Sequence, residues 1–171
     1  NIKKIYKFPF KYEIPHYIED FVKQRVFFTL WVKCFKRYLF IILNGQRGLE
    51  LFTILPRHQD ILWINLSAPS FGDSLMDLSS RELLKGKNID LFTTERIAEI
   101  YRKDKRFNQV YSNIGLASKN NYSLVIVDSY GSRSIKAKCQ IAPKVDFIGM
   151  YGYFNGPEVN RVLFSFHQMN H

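Results

Sequence analysis

The strongest constraint on the fold is an alternation, from residue 60 onward, of short apolar runs with longer polar stretches that suit helices. The apolar runs occupy residues 61–66, 89–92, 109–111, 123–127 and 145–150. Alternation on this scale is typical of βαβ units, in which crossover helices join buried strands. Because such crossovers are right-handed, we predict an α/β fold with a Rossmann-like open parallel sheet flanked by helices.

Three of the polar stretches carry helix signals. One helix is predicted from about residue 74 to 85, ending near Gly86, and a second is opened by Thr94. A third is predicted from about residue 132 to 139. Together with the strands, these helices make residues 60–171 one predicted sheet domain.

Residues 1–59 differ from the rest and are predicted to form a basic, aromatic, helical extension with a helix over about residues 18–43. Apolar residues on this helix recur at steps of three, four or seven: Phe21, Phe28, Val32, Phe35, Leu39 and Ile42. Two interpretations of this stripe remain open. It packs on the neighbouring domain, or it contacts a membrane surface.

The cysteine and histidine content gives no metal signature. Cys34 and Cys139 lack a CxxC pattern and the spacing of a disulfide framework, so we predict two free thiols in a reducing cytosol and no metal site. His167 and His171 stand four residues apart, but Gln168 replaces the glutamate that a zinc-protease helix requires.

Neither a secretory signal nor a membrane-spanning helix is predicted. The first residues lack an apolar core, and basic residues interrupt the most apolar stretch, residues 26–43. The net charge of +10 favours an anionic partner, a class that includes phosphorylated glycolipids, nucleotides, membranes and nucleic acids.

The loop after the first predicted strand is the first part of the candidate site, because ligands of open parallel sheets bind beyond the carboxyl ends of the strands. Gly72 lets the backbone approach a ligand, and the helix that follows offers free N–H groups. Asp73 at the helix start has two interpretations, an N-cap or a general base. The candidate residues in this loop are Ser67, Ser70, Gly72, Asp73 and Ser74.

The loop after residue 127 forms the second part of the candidate site. It again contains a glycine turn followed by a predicted helix start, and its candidate residues are Asp128, Gly131, Ser132 and Arg133. The guanidinium group offers a planar fork for phosphate oxygens or sugar hydroxyls. An ordinary capped turn with an exposed arginine is the alternative interpretation.

These two loops, in this order and at this separation, resemble the glycosyltransferase family that includes the lipopolysaccharide heptosyltransferases. The resemblance covers about residues 60–150 and consists of five ordered segments. They are ILWINLS at 61–67 followed by GDSLM at 72–76, IDLF at 89–92, YSLVIVD at 122–128, the set Gly131, Arg133 and Ser134, and DFIGM at 146–150.

The resemblance implies the acceptor-side, N-terminal half of a GT-B fold, with the donor-binding domain absent before the chain ends at His171. In that family the residue matching Asp73 is the catalytic base of an inverting transfer from a nucleotide-sugar, without metal or other cofactor. We therefore expect a heptose-like sugar to be moved to an anionic glycolipid acceptor, and this polypeptide to be inactive alone. The implied location is the cytoplasm, peripheral on the inner face of the bacterial inner membrane.

The alternative is a basic membrane- or nucleic-acid-binding module without catalysis. Basic residues interleaved with aromatic ones suit phosphate contacts and base stacking. A nucleic-acid partner is not favoured, because it leaves the Gly-Asp and Gly-Ser-Arg loops without a role.

Overall fold

A computed structural model describes residues 27–153 and 161–169. Its strands are β1 (Asp60–Asn65), β2 (Asn88–Thr93), β3 (Gln109–Tyr111), β4 (Leu124–Val127) and β5 (Phe147–Gly149). Its helices are α1 (Phe27–Leu43), α2 (Phe71–Asp77), α3 (Glu95–Tyr101), α4 (Ile114–Ala117), α5 (Ser132–Ile141) and α6 (Arg161–Met169), with 3-10 turns at Arg47–Leu49 and Ser79–Leu84.

The five strands form one parallel sheet in the order β3-β2-β1-β4-β5, which confirms the predicted Rossmann-like α/β fold. The central strand β1 pairs with β2 and β4, and Ile61 lies opposite both Ile89 and Leu124. From β1 the chain runs outward to β2 and β3, and from β4 it runs the other way to β5. Right-handed crossovers therefore place the helices on opposite faces.

The strands were predictable because helices cover both faces of the sheet. β1 and β2 are buried at every position after the first, and β4 is buried throughout. Strands covered in this way read as continuous apolar runs in the sequence. On one face α6 packs against α2 and the Ser79–Leu84 turn, and on the other α5 contacts α1 and α4.

The helix predicted at about 74–85 is instead two elements. α2 begins three residues earlier, because Ser70 caps it, and ends at Asp77. The serines that follow bind locally or to another helix: Ser79 Oγ donates to Met76 O (2.7 Å), and Ser80 Oγ bonds Ser165 Oγ (2.7 Å). Serine side chains that compete with the backbone disfavour a continuous helix, and the chain tightens into a 3-10 turn.

The helix α6 was not among the helices predicted from the sequence. Ser165 on this helix is fully buried, and its hydroxyl also donates to Asp77 O (2.8 Å). Val162 and Leu163 are exposed while Ser165 is buried, so the buried side of α6 is partly polar.

The helix α1 confirms the second part of the predicted N-terminal helix, and residues 18–26 lie outside the described residues. Its buried face contains Cys34 and Ile41, whereas Leu39 and Ile42 of the predicted stripe are each 42% exposed. Cys34 Sγ and Arg37 Nη1 donate to Tyr153 O at 3.2 and 2.8 Å. The sheet domain therefore does not cover the whole predicted stripe, and the membrane contact of its exposed residues stays a prediction.

The segment after α1 runs along the outer edge of β5. Glu50 forms an isolated parallel bridge with Phe147, and Leu51 N donates to Phe147 O (2.8 Å). Beneath it, Tyr130 packs edge-on against Phe147 and Tyr153, with ring centroids 5.5 and 4.9 Å away. Residues before β1 therefore contribute to the core of the sheet domain.

Lys138 on α5 is fully buried, and we expect it to give the protein a measurable alkaline pH dependence. Its Nζ donates to Gln46 Oε1 (2.5 Å) and Pro143 O (3.2 Å) and lies 5.2 Å from the centroid of the Phe147 ring. Burial lowers the pKa of Lys138 to about 8. Between about pH 8 and the ordinary lysine pKa of 10.5, the unfolded chain therefore holds a proton that the folded chain has lost.

Across this window the contribution of Lys138 to the free energy of unfolding rises with pH. Relative to a Lys138→Met variant, the wild type should gain about 2 kcal/mol between the two ends of the window. Urea denaturation of both proteins at several pH values measures the difference, and titration of other groups cancels in it. Parallel pH profiles would contradict the assignment.

Candidate functional site

A cavity of about 490 Å³ lies beyond the carboxyl ends of β1 and β4, where the order of the strands reverses. This is the place at which open α/β sheets bind ligands. Its walls come from both predicted loops and from elements far away in the sequence. The lining residues are Arg37, Ser67, Asp77, Ser129, Gly131, Ser132, Arg133, Tyr151 and Arg161.

Three arginines from three different helices reach this cavity. Arg37 comes from α1, Arg133 from the first turn of α5 and Arg161 from the start of α6. Among the described residues, Arg133 donates a single hydrogen bond, from Nη1 to Leu66 O (3.0 Å), which leaves its remaining N–H groups to bind a ligand. Guanidinium groups that converge in this way favour a ligand with anionic oxygens.

The first turn of α5 adds neutral donors to the cationic ones. Gly131 is the N-cap of α5 and makes no side-chain cap, and Ser132, the first helical residue, is exposed. Ser67 Oγ and Ser129 Oγ lie 3.3 Å apart on the cavity wall. Serine hydroxyls and the first turn of a helix therefore line the same cavity as the guanidinium groups.

Asp73 is not one of the lining residues but contacts one of them, Arg161, and it is not the N-cap of α2. The cap is Ser70, whose Oγ accepts from Asp73 N (3.2 Å) and donates to Asp73 Oδ2 (2.5 Å). Asp73 Oδ1 accepts from Arg161 Nη1 at 2.8 Å, and the Asp73 side chain is 24% exposed. The N-cap interpretation of Asp73 is therefore wrong, because Ser70 is the N-cap.

Asp77 is a site residue that sequence reasoning missed. It is buried, accepts from Arg161 Nη2 (2.6 Å) and from the Tyr151 hydroxyl, and lies one helical turn after Asp73. Burial raises the pKa of Asp77, and the bonds from Tyr151 and Arg161 oppose that rise. Burial lowers the pKa of Arg161, but the Asp77 carboxylate and Tyr151 together outweigh burial, and the pKa is raised.

Only part of this network has a sequence signal. Asp73 and Asp77 stand four residues apart, so both project from one face of α2, and this spacing can be read from the sequence. Arg161 and Tyr151 reach the site from other elements, and nothing in their local sequence indicates it.

Two other predicted residues are engaged inside the protein. Ser74 is fully buried and its Oγ donates to Asn65 Oδ1 (2.7 Å). Asp128 is 1% exposed and accepts four hydrogen bonds, from Leu66 N, Ser67 N, Ser129 N and Ser134 Oγ at 2.5–2.7 Å. Asp128 thus ties the carboxyl ends of β1 and β4 together and shapes the cavity from behind.

The predicted site residues therefore fall into three groups. Ser67, Gly131, Ser132 and Arg133 line the cavity. Ser70, Gly72 and Asp73 form the first turn of α2 and its cap, beside the lining residue Arg161. Ser74 and Asp128 support the two loops from the interior.

Comparison with protein-family models, curated proteins and solved structures finds no match to this chain. Among the described residues, no group of three or more His, Cys, Asp or Glu side chains is placed to hold a metal ion. No helix within 27–153 or 161–169 has the length and apolar character needed to cross a membrane. Both cysteines are free thiols, and Cys34 is buried.

Proposed function

We propose that this chain is the acceptor-binding domain of an inverting glycosyltransferase that acts on an anionic, phosphate-bearing glycolipid. The observation that supports the proposal best is the convergence of three guanidinium groups and three serine hydroxyls on one cavity at the strand-order switch. Guanidinium groups suit phosphate or carboxylate oxygens, and hydroxyls suit a sugar. The resemblance to the heptosyltransferases supplies the reaction type and the heptose-like donor sugar.

In the proposed reaction, Asp73 takes the proton of an acceptor hydroxyl. The hydroxyl oxygen then forms a bond to the anomeric carbon of the donor sugar, and the bond to the nucleoside diphosphate breaks with inversion. Arg161 contacts both Asp73 and Asp77, so Asp77 alone can keep α6 in place. An anionic ligand can therefore draw Nη1 of Arg161 away from Asp73 and leave that carboxylate free to act as a base.

Replacing Asp73 by asparagine in the complete transferase is expected to lower the rate of sugar transfer by about a hundredfold, the lower end of what a general base contributes. The fold should survive, because Ser70 still caps α2 and Asp77 still holds Arg161. Binding of a phosphorylated sugar should be as tight as in the wild type or tighter in this variant, because Arg161 loses a competing carboxylate, and it should weaken in Arg133→Ala. Glu99→Gln, the same chemical change at an exposed position on α3, serves as the matched control.

The same experiment separates this proposal from a basic membrane-binding module without catalysis. On α1 the apolar residues Leu39, Ile42 and Leu43 are exposed, next to the exposed Lys36, and such a surface suits a peripheral position on an anionic membrane. Glycolipid transfer at the inner face of the inner membrane is compatible with this contact. Unchanged transfer in Asp73→Asn, with vesicle binding that is lost in Leu39→Ser, would reject the catalytic proposal and favour the binding module.

A further inference from the structure

A second cavity, of about 400 Å³, lies at the amino-terminal ends of the strands, opposite the candidate site at their carboxyl ends. It is bounded by the first residues of β1, β2 and β3 and by the loop before β4. The six residues of β1 separate the two cavities by about 17 Å. The proposed transfer reaction uses no residue at this end of the strands, so the second cavity has no role in that reaction.

The buried carboxylate of Asp90 organises the walls of this cavity. Its Oδ1 accepts from Asn108 Nδ2 (3.2 Å), and its Oδ2 accepts from Asn120 Nδ2 (3.1 Å) and from the Tyr122 hydroxyl (3.2 Å). Asn120 Nδ2 also donates to the Tyr111 hydroxyl (2.7 Å). One carboxylate thus fixes two carboxamides and a tyrosine, and through Asn120 it fixes a second tyrosine.

These internal bonds use the amide nitrogens and leave oxygen atoms available. Within the described part of the chain, the side-chain oxygens of Asn88, Asn108 and Asn120 accept no hydrogen bond. The exposed side chains of Gln109 and Asn121, also on the wall, form no hydrogen bond with any described residue and offer both donors and acceptors. The cavity therefore presents many acceptors and a few donors, beside two tyrosine rings.

The charge of the second cavity is opposite to that of the first. Of the residues that the structure describes, Asp60 and Asp90 are the ionisable ones that line it apart from the tyrosines, and no described lysine or arginine lines it. A phosphate-bearing ligand is disfavoured there, although the whole chain carries +10. Hydroxyl groups, which donate and accept, match carboxamides and a carboxylate, and the apolar face of a sugar ring packs on an aromatic ring.

We propose that this second cavity binds an uncharged sugar residue. Its volume falls within the range of roughly 300–1,000 Å³ that small-molecule sites occupy. The site is distinct from the cationic cavity, and its occupation does not depend on sugar transfer. It gives the domain a second point of attachment to a glycan, on the far side of the sheet.

Titration of the isotope-labelled chain with uncharged methyl glycosides of glucose and galactose, followed by NMR, tests the proposal. Saturable shifts are expected in the backbone amide signals of residues 109–111 and 120–122. Gln109→Ala and Asn121→Ala, which remove exposed side chains without internal bonds, should each weaken binding about fivefold. Gln140→Ala, an exposed glutamine on α5, is the matched control and should leave the affinity unchanged.

Glucosamine and glucose 6-phosphate provide the competing outcomes. Tighter binding of glucosamine than of the neutral glycosides, abolished in Asp60→Asn, would show an ammonium site and overturn the proposal. Preferential shifts with glucose 6-phosphate at this end of the strands would overturn it as well. So would the absence of shifts at these residues with every sugar, or neutral-sugar binding that Gln109→Ala and Asn121→Ala both leave intact.

Discussion

Replacing Asp128 by asparagine is expected to lower the free energy of unfolding by about 3 kcal/mol, because each buried donor that loses its acceptor costs about 1–3 kcal/mol. Each carboxylate oxygen accepts two hydrogen bonds: Oδ2 from Leu66 N and Ser67 N, and Oδ1 from Ser129 N and Ser134 Oγ. An amide group must place its NH₂ against one of these pairs. On the Oδ1 side the Ser134 hydroxyl can turn to accept from it, but the N–H of Ser129 then faces another donor; on the Oδ2 side two backbone N–H groups do.

Urea denaturation of the variant and the wild type measures this loss. Asp146→Asn, the same change at a half-buried carboxylate whose ion pair with Arg57 is long (3.8 Å), should cost less than about 0.5 kcal/mol. If Asp128→Asn proved as mild as the control, the carboxylate would not be what joins the ends of β1 and β4. A functional role for Asp128 would then become the better explanation.

Replacing Gly149 by alanine is expected to destabilise the protein by about 3 kcal/mol, the upper part of the range for overpacking a core. A Cβ atom at this position would lie 2.1 Å from Cε1 of Tyr130 and within 2.8 Å of two further ring atoms. The ring has little room to withdraw, because Tyr130 is fully buried and Phe147 and Tyr153 pack against it.

Thermal or chemical denaturation measures the effect, and a double-mutant cycle assigns its cause. Gly48→Ala, where a Cβ would meet nothing within 4 Å, is the control and should be close to neutral. Combining Gly149→Ala with Tyr130→Ala should cost less than the sum of the single changes, because the clash disappears with the ring. Additive costs would show that the methyl group acts on something other than Tyr130.

The sheet was predictable from sequence because its chemistry is local. Each strand that helices cover on both faces is a short apolar run, so all five strands were found within about two residues of their observed ends. The helices were less well predicted wherever polar contacts decided their limits. Ser70 starts α2 early, and the bonds of Ser79 and Ser80 end it before the expected position.

The candidate site was predictable only where the parallel topology determines it. Ser67, Gly131, Ser132 and Arg133 follow strand ends, and a general rule on open sheets places such residues together. Arg37, Tyr151 and Arg161 come from elements whose docking depends on hydrogen bonds between distant residues. No periodicity or spacing in the sequence predicts those contacts.

The two edge strands of the sheet also affect the tendency of the protein to aggregate. Glu50 and Leu51 pair with the outer side of the edge strand β5, and the other edge strand, β3, is only three residues long. Unpaired edge strands of apolar sheets pair with strands from other molecules, whereas an edge strand that is already paired or very short offers no such template. The segment that precedes β1 is therefore expected to protect the β5 edge of the folded protein against pairing with other molecules.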